Sequence, residues 1–216
     1  DLMQSIALEN NLSETAFINI NESPIPIRWF TPTLEVNLCG HATMASAKIL
    51  FEYFPSIAGT EISFNSKSGI LNVTKHAEDI CLNFPTDKPE PQKMDALFAE
   101  ALGESPIEIL RGTDDFLAVF ETEQQIQAMN PDFSKLSKIN SRGVVISAPG
   151  NDVDFVSRCF FPQTGVDEDP VTGSAHTMLI PYWAKQLDKI ELKAYQLSAR
   201  GGVLDCKLIN DRVLIS

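Results

Sequence analysis

Apolar and polar positions along this chain alternate in short bursts, and two Ala-rich stretches interrupt them at helical spacing. Leu2, Met3, Ile6 and Ala7 recur with the period of a helix, which predicts an opening helix within residues 1–12. Strand-like runs follow at 15–20, 25–30, 61–64, 70–73 and 80–84. Between them lies one strong helix over 42–54, rich in Ala and Met and closed by Pro55. The segment FPTDKPEPQKM (84–94), with three prolines, reads as a linker. It divides the chain into a lobe at 1–84, a linker at 85–93 and a second lobe at 94–216.

The second lobe repeats the rhythm. A helix at 94–102 precedes strands near 107–110 and 116–120. Helices near 123–129 and 132–138 lead to strands at 144–147 and 154–161. A helix over 172–187 follows, and then strands at 191–196, 202–208 and 212–215. Specific residues recur as well. Arg28, Phe30, Pro32 and Val36 return as Arg158, Phe160, Pro162 and Val166, displaced by 130. Cys39, Gly40 and Ala42 correspond to Thr172, Gly173 and Ala175, displaced by 133, as GILNV (69–73) does to GVLDC (202–206). A three-residue insertion near 168–170 reconciles the two registers. Matches in order with one insertion indicate internal duplication rather than coincidence. The expected architecture is therefore α+β, with two pseudo-symmetric lobes. Each is a β-barrel-like sheet wrapped around a central helix, and a cleft is expected where the two helix starts approach each other.

Charge narrows the function. The 216 residues include 29 acidic and 17 basic side chains, for a net charge of −12. Such a field repels nucleic acid and anionic membranes, so neither is expected as a partner. No apolar run reaches the roughly 20 residues that span a bilayer. Cys39, Cys81, Cys159 and Cys206 form no CxxC pattern, which fits reduced thiols in the cytoplasm. Three histidines in unrelated contexts predict no metal centre, and the absence of GxGxxG and P-loop motifs predicts no nucleotide.

The chemistry is expected at the two helix starts, LCGHAT (38–43) and VTGSAH (171–176). Glycine lets backbone N–H groups approach a ligand, and the first turn of a helix leaves those donors free and favours an anion. Close helix–strand packing is the other reading of Gly40 and Gly173. Groups able to move protons lie nearby in sequence. Glu14 falls at a helix-to-strand transition, where it could also be a surface glutamate. Asp169, before Pro170, is at an N-cap position. His41 and Cys39 flank Gly40, the one a hydrogen-bonding residue or an acid, the other a nucleophile or a core residue.

NLSETAF, RWFTPTLEVNLCGHATMASA, SRCFFPQTGVDEDPVTGSAHTMLIPYW and QLSARGG together resemble the phenazine-biosynthesis isomerase-like (PhzF-like) family. The likeness runs from residue 1 to the end. It implies a diaminopimelate epimerase-like fold with the active site between the lobes, no cofactor and a homodimer. It also implies that the chain begins a few tens of residues into the family pattern, past a first strand and its Gly-Asn-Pro segment, and stops short of the usual last strand. Epimerases of this fold oppose two cysteines. Here the second position is Thr172, which argues against two-thiol chemistry. By resemblance, Glu14 is the general acid/base, assisted by His41 and Asp169. Cys39, Gly40, Thr172, Gly173 and Ser174 would bind substrate.

The expected reaction is a cofactor-independent isomerisation that moves a proton between carbons of a small anionic metabolite. For this an apolar pocket would raise the Glu14 pKa toward neutrality. The alternatives are an amino-acid racemase or epimerase using Cys39, and a non-catalytic small-acid binder.

Overall fold

Period-two burial over Ile25–Trp29 places Ile25, Ile27 and Trp29 on the core side of one strand, with Pro26 and Arg28 on the other side. Around such strands the chain forms two units, Asp1–Phe84 with Leu214–Ser216, and Pro85–Val213. The computed structural model describes residues 2–76 and 79–216; the expected start of the opening helix at Asp1 lies outside them.

The first unit begins with α1 (Leu2–Asn10) and continues through β1 (Thr15–Ile18), β2 (Ile25–Phe30) and β3 (Glu35–Val36). Then come α2 (Gly40–Tyr53), a single turn α3 (Pro55–Ala58), β4 (Glu61–Ser66), β5 (Gly69–His76) and β6 (Asp79–Pro85). β2 pairs antiparallel with β1 and parallel with β4, and β4, β5 and β6 form an antiparallel meander. α2 is the central helix. Gly40, Ala42, Thr43 and Ala47, buried with Leu50 and Phe51, keep its strand-facing side narrow. Pro55 ends it, because proline clashes with a continuing helical turn, and starts α3 as its first residue.

The second unit holds β7 (Glu90–Pro91), α4 (Ala96–Leu102), β8 (Glu108–Arg111), β9 (Asp115–Val119), α5 (Glu123–Ala128) and α6 (Phe133–Leu136). β10 (Gly143–Pro149) and β11 (Phe155–Phe161) follow, then a 3₁₀ turn (Pro162–Thr164), β12 (Val166–Asp169) and α7 (Gly173–Leu187). Last are β13 (Glu191–Gln196), β14 (Gly202–Ile209) and β15 (Arg212–Ile215), whose final residues Leu214 and Ile215 belong to the first unit. The sheet runs β7-β8-β9-β10-β11-β13-β14, with β12 also paired to β11. β10 is buried from Gly143 to Ala148 and, apart from Ser147, reads as a continuous apolar run, as a strand covered on both faces should. Val144, Ile146 and Ala148 join a core with Phe98, Ile126 and Leu136 of α4, α5 and α6. The intervening Ser147 accepts a hydrogen bond from the Trp183 indole of α7. α7 is buried nearly all round, as a central helix must be.

Residues 85–93, read as a linker, are built into this unit despite their prolines. Three of its amides find acceptors: Thr86 bonds Asp211 O, Asp87 bonds Thr177 O, and Gln92 bonds Ile109 O. Asp87 in turn accepts from Thr113 N and Oγ1.

The repeat reappears as geometry. In the first unit Arg28 makes a bidentate pair with Glu35, at 2.8 and 3.0 Å, and lies 5.0 Å over the Phe30 ring. In the second, Arg158 does the same with Glu168, at 2.8 and 2.9 Å, over Phe160 at 5.1 Å. Trp29 pairs with Val36 as Cys159 pairs with Asp169. The register therefore changes before Glu168, earlier than 168–170. The structural counterpart of Val36 is Asp169, and the Val36–Val166 match is fortuitous. The extra residues fall in the segment that carries the 3₁₀ turn.

Candidate functional site

In the first unit three expected residues meet. Glu14 immediately precedes β1, and Cys39 is the N-cap of α2, in extended backbone and without a side-chain cap bond. No side chain of the cap therefore occupies the first-turn donors of α2. His41, in that turn, places Nε2 3.0 Å from Glu14 Oε2. Cys39 Sγ lies 3.7 and 3.8 Å from the two ring nitrogens. Glu14 is mostly covered (19% side-chain exposure), His41 is half-open (35%), and Cys39 is buried (5%).

The electrostatics correct one expectation. Burial does push the Glu14 carboxyl up, but hydrogen bonds and charge from His41, with hydrogen bonds from Ser13 and Cys39, outweigh it. The net shift is downward, so Glu14 rests as a carboxylate rather than near neutrality. Its pocket is not apolar but contains a cation. Burial raises the Cys39 thiol, which stays protonated at neutral pH. His41 is raised to about 11 by hydrogen bonds to Cys39 and Glu14 against the lowering effect of burial. Because Cys39 is a neutral thiol at that pH, the Glu14 carboxylate is the anion that holds the imidazolium.

In the second unit the expected residues gather at the start of α7. Thr172, not Asp169, is the N-cap, and like Cys39 it makes no side-chain cap bond. Its hydroxyl is turned back to donate to Asp169 Oδ2 at 2.6 Å. Asp169 thus fastens the turn rather than capping the helix. The backbone of Gly173 and Ser174 forms the first turn, and Ser174 Oγ accepts from Arg142 Nη2 at 3.2 Å. Both helix starts share one further device. Thr43 Oγ1 donates to the cap carbonyl of Cys39 at 2.6 Å, and His176 Nδ1 bonds that of Thr172 at 2.8 Å.

Sequence reasoning missed two supports here. Gln196, only 1% exposed, accepts from Thr172 N at 2.8 Å and donates to Asp169 O at 2.7 Å and Thr172 Oγ1 at 3.1 Å. It is the first residue of QLSARGG, which carried the only signal. Arg142 is held by a bidentate pair with the buried Asp115, and nothing in its local sequence marks it.

Two uncapped helix starts, one of them beside a carboxylate–imidazolium pair, are what these features outline. A profile of phenazine biosynthesis-like proteins (PhzC/PhzF) matches residues 1–215. A relative described as an uncharacterized isomerase of Pseudomonas aeruginosa is 49% identical over 216 residues, covering 100% of this chain and 82% of the relative. The crystal structure of a PhzF-family protein from Enterococcus faecalis superposes with a TM-score of 0.92 at 47% identity, covering 99% of this chain and 82% of that one. A probable proline racemase from Agrobacterium radiobacter shares the fold at a TM-score of 0.64 and 11% identity, over 99% of this chain and 77% of its own. The chain belongs to the phenazine biosynthesis-like (PhzC/PhzF) family, as an isomerase-type member with the epimerase-like α+β fold. No helix among the described residues is long and apolar enough to cross a membrane.

Proposed function

We propose that this protein is a cofactor-independent isomerase that transfers a proton between carbons of a small anionic metabolite, with Glu14 as the general acid/base. The observation that carries this reading is the 3.0 Å Glu14–His41 pair at the uncapped start of α2. A carboxylate whose pKa is held down is fully in its base form at neutral pH. It can accept a proton from an acidified C–H, and the resulting carboxylic acid is a ready donor to the next carbon. The His41 imidazolium and the free first-turn amides supply positive charge where enolate character develops. The Gly173–Ser174 turn, stabilised by Asp169 and Gln196, offers the same kind of donors to a substrate carboxylate. Cys39, a buried thiol with Thr172 at the equivalent position, is a wall of the site and not a base, which speaks against racemisation by a thiol pair. Buried thiols outside any disulfide are in keeping with the cytoplasm, and the family resemblance implies a homodimer.

The test is deuterium wash-in. Small carboxylic acids with an acidic C–H are incubated with the protein in D₂O and followed by proton NMR. The reading expects exchange and double-bond migration in one substrate class, lost by about 10²-fold or more in Glu14→Gln. Exchange that survives Glu14→Gln in a folded variant refutes the assignment.

A further inference from the structure

Glu14, Cys39 and His41 bring a carboxylate oxygen, a thiol sulfur and an imidazole nitrogen within 4.8 Å of one another. Among the described residues this is the one such trio, and it was invisible in the sequence because Glu14 lies far from the other two along the chain. Its internal contacts are poorly used. The sulfur is almost equidistant from both ring nitrogens, so it lies on neither lone-pair axis. Glu14 Oε2 is buried and meets His41 Nε2 at 3.0 Å as an ion pair, with no further partner on its remaining lone pair. A tetrahedral zinc ion with bonds of about 2.3 Å to sulfur and about 2.0 Å to nitrogen and oxygen sets its S and N ligands about 3.5 Å apart, and its N and O ligands about 3.3 Å apart. The observed spacings are 3.7 and 3.0 Å.

We propose that Cys39 Sγ, one ring nitrogen of His41 and a Glu14 oxygen form a capture site for a borderline-soft divalent cation, zinc foremost. Three protein ligands leave a fourth position open, as in catalytic rather than structural zinc sites. Thiolate and imidazole disfavour magnesium and calcium, which take oxygen. On binding, the thiol proton and the second imidazole proton leave to solvent. Thiolate and carboxylate then balance the two charges of the ion, so the trio stays neutral before and after. With its oxygen on the metal, Glu14 can no longer accept a proton, so the ion is an inhibitor. Only this last consequence rests on the isomerase reading.

The probe is Co²⁺, titrated anaerobically into the full chain. The expected result is one equivalent bound, with a thiolate-to-cobalt charge-transfer band and the intense visible bands of four-coordinate cobalt, all reversed by a chelator. The charge-transfer band should vanish in Cys39→Ser and persist in Cys159→Ser. His41→Asn and Glu14→Gln should each weaken binding by at least the roughly 10- to 100-fold that loss of an outer-shell partner costs. These two variants keep the idea testable if Cys39→Ser fails to fold. A band that survives Cys39→Ser, unchanged affinity in the other two, or only the weak spectrum of six-coordinate cobalt overturns the site. Zinc should also stop deuterium exchange. If the metal-free protein shows no exchange in the first place, the isomerase reading fails while the cobalt spectrum stands.

Discussion

Glu14→Gln keeps the volume of the side chain and removes its charge, so it isolates what the carboxylate does to His41. Two unit charges 3.0 Å apart attract by about 1.4 kcal/mol in bulk water and by about 5.5 kcal/mol at an effective dielectric of about 20. An attraction of that size moves the titration of the imidazole by roughly 1 to 4 on the pH scale. The His41 side chain is 35% exposed, so screening favours the lower half of this span, about 2. The wild-type His41 should titrate near its raised value of about 11, and the variant about 2 pH units lower. The sign follows from the pair: a carboxylate stabilises the protonated ring, so its loss must lower the pKa. Ring-nitrogen NMR across a pH series reads this directly, with His176 as internal control because burial holds it at about 4. A His41 pKa that moves by less than about half a pH unit would mean that Glu14 is not the anion holding the imidazolium.

Two further outcomes follow from the same physics. Glu168→Gln should cost about 2 kcal/mol, read as a lower urea midpoint, because Arg158 is only 13% exposed and is left as a charge with no anionic partner. Glu35→Gln should cost much less, since Arg28 is 41% exposed; equal losses would show that burial does not decide the difference. His176, with a depressed folded pKa of about 4, binds its proton more readily unfolded. Its stabilising contribution is complete above about pH 6.5 and fades to nothing by about pH 4, a change of about 3 kcal/mol. Replacing it with Asn should flatten the pH dependence of unfolding in that window by this amount, and an unchanged slope would refute the assignment.

The parts of the molecule governed by local pattern were readable in advance. β2 showed period two, α2 and α7 showed Ala-rich helical spacing, and the Arg–Phe repeat announced the duplication. What escaped depends on contacts between distant residues. The Arg158–Glu168 pair, which spans the extra residues, could only be matched to Arg28–Glu35 once the β-ladders fixed the register. Residues 85–93 looked like a linker because proline content reports flexibility poorly when the neighbouring amides find acceptors. The Glu14 shift was expected with the wrong sign, since burial is legible from apolar neighbours in sequence whereas a facing imidazolium is not. Gln196 and Arg142 act on the α7 start from 24 and 32 residues away and carry no local signature.

The bonds from Thr43 and His176 to their cap carbonyls have a consequence for anything negatively charged that approaches. The cap carbonyl points down the helix, where Cys39 O already accepts from Thr43 N at 3.2 Å, and the side-chain bond fastens the cap residue to its own first turn. Tethered in this way, by a hydroxyl in one copy and an imidazole in the other, each cap holds the first-turn donors of its helix in place for an anion. The two halves of the molecule thus keep the same electrical face with unrelated side chains, a sign that polarity rather than residue identity was retained as they diverged.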